Sequence, residues 1–158
     1  MKITGIVLFL FCSVISVSQN AEKEFSIDPK DSLMVLNFWK TIIRALDDGN
    51  YRYIRRNSSK NVICNCETDS LTGKNRTWNA NQFAVEFIRK FKYTPKLQRV
   101  IKTSDPKIIL SPLHNTTKNI YSVIYSDRSA KESEGSTYFF DVIKVKDKLK
   151  LKSAWITP

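Results

Sequence analysis

Few residues in this 158-residue sequence could carry chemistry. The only histidine, His114, sits in the run Pro112-Leu113-His114-Asn115-Thr116-Thr117, a polar loop segment where it would be a surface side chain. Among the carboxylates, Asp141 stands between Phe140 and Val142 in an alternating segment, which makes it the acid best placed for a cavity. A proton acceptor there would work on a carbonyl-bearing ligand, with a second group donating to the developing oxyanion. The plainer alternative is a sheet-face aspartate paired with a neighbouring lysine. No nucleophile elbow, phosphate loop, His-rich metal spacing or paired-carboxylate motif occurs. Neither a metal nor a cofactor is expected, and an enzymatic reading rests on Asp141 alone.

Cys64 and Cys66 form a C-x-C pair, too tight for ordinary zinc spacing and with no second ligand pair. On an extended strand their Cα atoms would stand about 6.5 to 7 Å apart, the outer limit for a disulfide. An internal bridge, two buried free thiols and pairing with another chain all stay open. Three glycosylation sequons begin at Asn57, Asn75 and Asn115, each in a segment that reads as loop, as glycan attachment requires.

The sequons and thiols matter because the chain reads as exported. Lys2 is followed by an uncharged apolar run over 6–15 and then by Ser16, Val17 and Ser18, the pattern of a removable signal peptide over 1–18. As a retained anchor the run would be shorter than the roughly 20 residues a spanning helix needs. A flexible arm over 19–27 and a single domain over 28–158 follow. Secretion to the extracellular space is the expected location, and Cys12 leaves with the signal peptide. The remaining length suffices for one core without staples. With 26 Lys and Arg against 15 Asp and Glu, the chain is basic. Such a charge draws anionic partners, extracellular glycans before nucleic acid, or simply keeps a surface solvated.

Local patterns predict the elements that must position these groups. Asp28 and Pro29 start a helix whose inward face is Val35, Leu36, Trp39, Ile42, Ile43 and Leu46. It should stop at Asp48-Gly49-Asn50, where glycine takes the left-handed position. A short helix over 51–56, a loop over 57–61, a strand over 62–67 and a loop over 69–75 come next. Phe83, Phe87 and Phe91 recur every four residues in a helix over 79–91, the spacing of a core stripe. Beyond Pro95 alternation predicts strands over 96–103, 107–110, 120–126, 137–145 and 149–156, with a charged loop over 127–135 and a two-residue turn at Lys146 and Asp147. Helices first and a mostly antiparallel sheet afterwards is the α+β class, helices packed on one sheet face.

That order, with the helix end Ala45-Leu46-Asp47-Asp48-Gly49-Asn50, the 79–91 helix and a last strand closing in Ser153-Ala154-Trp155, resembles the nuclear transport factor 2-like (SnoaL-like, cystatin-like cone) superfamily. The likeness spans about 28–158 and is closest to small secreted members such as nematodes encode. It implies a curved sheet wrapped around the first helix, enclosing an apolar cavity, for which Trp39, Tyr53, Phe87, Tyr125 and Tyr138 are the expected lining. The superfamily binds proteins, binds small ligands, or does isomerase and dehydratase chemistry, so fold does not choose function. The expectation is a secreted, non-enzymatic domain that binds a small apolar ligand or a protein partner across its sheet. The rivals are an isomerase or dehydratase using Asp141 and a basic module for anionic glycans. Homodimers are common among relatives of this fold.

Overall fold

The computed structural model describes residues 27–64, 76–112, 119–127 and 136–156. The expected signal peptide over 1–18, almost all of the expected arm over 19–27, Cys66, Asn75, His114 and Asn115 lie outside them.

The first helix, α1 (Pro29–Asp47), begins and ends as the local chemistry requires. Asp28 accepts a hydrogen bond from the Lys30 amide at 2.8 Å and Pro29 occupies the first turn. At the other end Gly49 takes φ of 65°. The Asn50 amide then donates to Ala45 O at 2.8 Å and the Gly49 amide to Leu46 O at 3.2 Å, the paired bonds of a Schellman ending. A Cβ on Gly49 would meet only the Lys92 ammonium end, 3.0 Å away, which can move. The cost of Gly49→Ala is therefore the left-handed backbone, about 1–2 kcal/mol, to be read as a lower urea midpoint at unchanged slope.

Asn50 caps the short α2 (Tyr51–Arg56). Strand β1 (Ser58–Cys64) then starts four residues earlier than alternation alone predicts, because its backbone pairs in parallel with the last strand, and Asn57 O already accepts from the Leu151 amide at 2.8 Å. A short β2 (Arg76–Asn79) pairs antiparallel with β1. Asn79 ends it and caps α3 (Ala80–Lys92) in a capping box with Gln82, so one residue closes a strand and opens a helix.

The segment expected as a strand over 96–103 is instead a helix, α4 (Pro95–Thr103). Pro95 suits a helix's first turn. Leu97, Val100 and Ile101 recur at steps of three and four and are all buried, so the helical period wins over the alternating one. The strands β3 (Lys107–Pro112), β4 (Asn119–Ser126), β5 (Thr137–Val145) and β6 (Lys148–Ile156) follow. Lys146 and Asp147 make the expected two-residue turn, with Lys146 at φ of 54°.

The six strands form one curled, unclosed sheet in the order β2-β1-β6-β5-β4-β3, antiparallel except between β1 and β6. The helices cover one face, and the expected α+β architecture holds. Val35, Trp39, Ile42 and Leu46 of α1 and Phe83, Phe87 and Phe91 of α3 meet Val123, Phe140, Val142, Leu151 and Ala154 of the sheet in a common core. No helix among the described residues is long and apolar enough to cross a membrane.

Candidate functional site

Trp39, Phe87 and Tyr125, three of the expected lining residues, gather around Phe140. Ring centroids are 4.5 Å apart for Trp39 and Phe140, 5.8 Å for Phe87 and Phe140, and 6.4 Å for Trp39 and Tyr125. The Trp39 Nε1–H donates to the Tyr125 hydroxyl oxygen at 2.9 Å. These rings touch one another and are buried, so they fill the space between α1, α3 and the sheet. Tyr53 stands apart, half-buried on α2, its hydroxyl donating to Thr41 Oγ1 at 2.9 Å. Tyr138, the cross-strand neighbour of Tyr125, is buried and its hydroxyl has no hydrogen-bond partner.

Burial pushes the Tyr125 hydroxyl up to about 12, helped by the Asp105 charge and opposed by the Trp39 bond. Tyr121 is likewise raised to about 12, first by burial and then by its 2.8 Å hydrogen bond to Asp31 at the start of α1.

Asp141 lies on the other face. Tyr138, Phe140 and Val142 point to the helices, so Asp141 between them points away. The strand register places it in a row running Ile109, Ser122, Asp141, Ser153 and Ile63 across five strands. Ser122 donates to its Oδ1 at 2.6 Å and Ser153 donates to its Oδ2. The sheet-face alternative describes its position, with serines in place of the lysine. The interior, where cavity chemistry would need an acid, is out of its reach. A second outer row runs Lys107, Ile124, Phe139 and Trp155.

Between the end of α4 and the ends of β3 and β4 lies a cleft of about 620 Å³ with Arg99, Ser104, Asp105, Lys107 and Asp127 in its walls. Arg99 Nη2 is 3.1 Å from Asp127 Oδ2. Asp127 also closes the base of the β4–β5 hairpin, its amide donating to Ser136 O at 2.9 Å. Behind it the hydroxyls of Ser136 and Tyr138 are buried. Burial raises the Tyr138 pKa while the Ser136 hydroxyl pulls it down a little, yet neither oxygen completes a hydrogen bond of good geometry. Sequence reasoning missed this group. Arg99 was assigned to a strand and Asp127 to an exposed charged loop, and nothing local marks a burial set by chain 28 residues away.

Cys64 is buried and disulfide-bonded, so it is not a free thiol. Asn57 ends α2 with its side-chain nitrogen donating to Tyr53 O at 3.0 Å, and Ser59 of the same sequon has a buried hydroxyl. The atom a glycan would occupy is thus engaged in the fold. In the basic run of α3 and α4, Arg89 pairs with Glu86, Arg99 with Asp127 and Lys102 with Asp47. Among the described residues no group of three metal-ligating side chains comes together.

No model of a known protein family matches the chain, and no curated protein matches it in sequence. Solved structures do. A designed NTF2 protein is 16% identical, covering 82% of this chain and 100% of its own, with a TM-score of 0.44. An NTF-2 like protein of unknown function from Shewanella oneidensis is 11% identical over 81% of this chain and 98% of its own, with a TM-score of 0.42. A DUF4783 family protein from Bacteroides fragilis is 9% identical over 73% and 92%, with a TM-score of 0.38. Two of these three similar structures are an NTF2 design and an NTF-2 like protein.

Proposed function

We propose that the chain is a secreted, non-enzymatic binding domain that takes an extracellular protein on the outer face of its sheet. The observation carrying this reading is the second outer row, where Ile124, Phe139 and Trp155 lie side by side on the face opposite the helices. Phe139 is 37% exposed and Val145 at the same face's end is 40% exposed. Aromatic side chains flanked by polar ones are the usual centre of a protein interface. Lys107 ends the second row, Lys148 and Lys150 stand opposite Val145 and Ile143, and a chain with 26 cationic against 15 anionic side chains repels its own copy. An acidic partner is the better complement. The signal-like residues 1–18 support export.

The other readings have less behind them. An apolar ligand would have to displace aromatic rings already packed together. An isomerase would have to work without Asp141 inside. On a glycan surface, three cations of α3 and α4, Arg89, Arg99 and Lys102, would share their charge with carboxylates already beside them.

The test compares baits in the extracellular fluid of the source. Wild type should retain an acidic protein that Phe139→Lys loses by roughly 100-fold in affinity, as truncating a central anchor costs about 2–4 kcal/mol, while Lys90→Ala keeps it. Equal retention by both variants would refute the face. A wild-type dimer at micromolar concentration, broken by Phe139→Lys, would show that a second copy occupies it instead.

A further inference from the structure

We propose that the cleft at the end of α4 is a separate binding site for a small monocarboxylate with an apolar body, and that Arg99 is its anion anchor. Its volume, about 620 Å³, is that of a site for a small molecule. The Arg99–Asp127 pair is asymmetric: the Asp127 side chain is 4% exposed, the Arg99 side chain 60%. A surface ion pair normally leaves both partners in water. Here the carboxylate is sunk into the fold and tethers the guanidinium through Nη2. A guanidinium tethered at one corner loses less rotamer freedom on taking up a carboxylate than a free one does.

The remaining walls narrow the ligand. Ser104 and Ser126 supply hydroxyls, and Val100 and Ile124 supply apolar surface. Arg99 and Lys107 are balanced in the same walls by Asp105 and Asp127, so the cleft has no surplus positive charge and a dianion such as phosphate meets more repulsion from the two carboxylates than a single carboxylate does. The unpaired buried hydroxyls of Ser136 and Tyr138 adjoin Asp127. Buried hydroxyls left without partners are uncommon in a finished core, and here Ser136 is the residue whose carbonyl holds the Asp127 amide. The cleft and the outer row share Ile124 and Lys107, but their anchors, Arg99 and Phe139, are different residues, so either proposal can fail alone.

The experiment follows amide and arginine side-chain resonances of the protein, expressed with its leader in a secreting host, during titration with hexanoate, hexanamide and inorganic phosphate. Hexanoate should give saturable shifts at Ser104, Asp105, Ser126 and Arg99 below about 10 mM, the range of a weak single-anchor site. Hexanamide and phosphate should each bind at least roughly tenfold more weakly. Arg99→Gln should weaken hexanoate by a similar factor. Because that change also breaks the Arg99–Asp127 pair, Ser104→Phe provides the second variant: it blocks the cleft while keeping the pair, and should abolish the shifts with the melting curve little changed. Failure of hexanoate to saturate, equal binding of hexanamide, phosphate binding as tightly, shifts that map elsewhere, or unchanged binding in both variants would overturn the proposal.

Discussion

Trp39→Ala should destabilise the protein by about 3–5 kcal/mol, the range for removing a fully buried large aromatic side chain. Trp39 is completely buried and its ring lies 4.5 Å from that of Phe140, so deletion opens a void between α1 and the middle of the sheet. It also strips the Tyr125 oxygen of its donor, 86 residues away in sequence. A domain of this size has roughly 5–15 kcal/mol to lose in all, so most of its margin would go. Equilibrium urea unfolding measures the change. Trp39→Phe separates the parts, because it keeps much of the ring packing and loses the hydrogen bond, at about 1–3 kcal/mol. If Trp39→Ala cost less than about 1 kcal/mol, the interior would have to be loosely packed, and the apolar-ligand reading would regain its ground.

The second large effect is expected at high pH. Tyr121 and Tyr125 have folded-state pKa values of about 12, against about 10 for an unfolded tyrosine. Between those values the unfolded chain releases protons that the folded chain keeps. Stability from these groups is therefore whole below pH 10 and is lost as pH rises through 12. At about 1.4 kcal/mol per pKa unit, reduced for partial solvent screening, Tyr125 alone accounts for about 1–2 kcal/mol. Burial acts on Tyr138 in the same direction. Absorbance at the tyrosinate band should show a late-titrating class that ionises together with loss of near-ultraviolet dichroism. Tyr121→Phe should remove one member of that class. Smooth titration of every tyrosine near the ordinary value, with the fold intact, would show that Tyr121 and Tyr125 are not buried in solution as they are here and that the Asp31 partnership does not hold.

How far the sequence was legible depended on the range of the interaction. The start of α1 at Asp28 and Pro29, its end at Gly49 and the phenylalanine stripe of α3 were all readable. Each depends on residues within one or two helical turns, where cap chemistry and side-chain period act directly. The misreading of 96–103 has the same origin. Lys96, Leu97, Gln98 and Arg99 read as well by twos as by threes and fours over so short a stretch, and only the partners of Leu97, Val100 and Ile101 in the core separate the two periods. Of the expected lining residues, Trp39, Phe87, Tyr125 and Tyr138 are buried and Tyr53 is half-buried, but burial does not decide between lining a space and filling it. That depends on what stands opposite, and for Trp39 it is Phe140 and Tyr125.

By itself, then, the sequence determined the α+β class, the order of most elements, the ends of α1, the core stripes and the excess of positive charge. These follow from propensities, caps and periodicities that each segment carries locally. The tertiary structure alone decided that β1 lies parallel to β6, that Asp141 sits between two serines on the outer face, and that Arg99 is held by a buried Asp127 beside an open cleft. Those facts arise from strand register and from helix packing between segments tens of residues apart. A one-residue slip in register would turn Asp141 inward and break up the row of Ile124, Phe139 and Trp155; the alternation of Tyr138, Phe140 and Val142 turns Asp141 outward, but which residues flank it depends on pairing between distant strands.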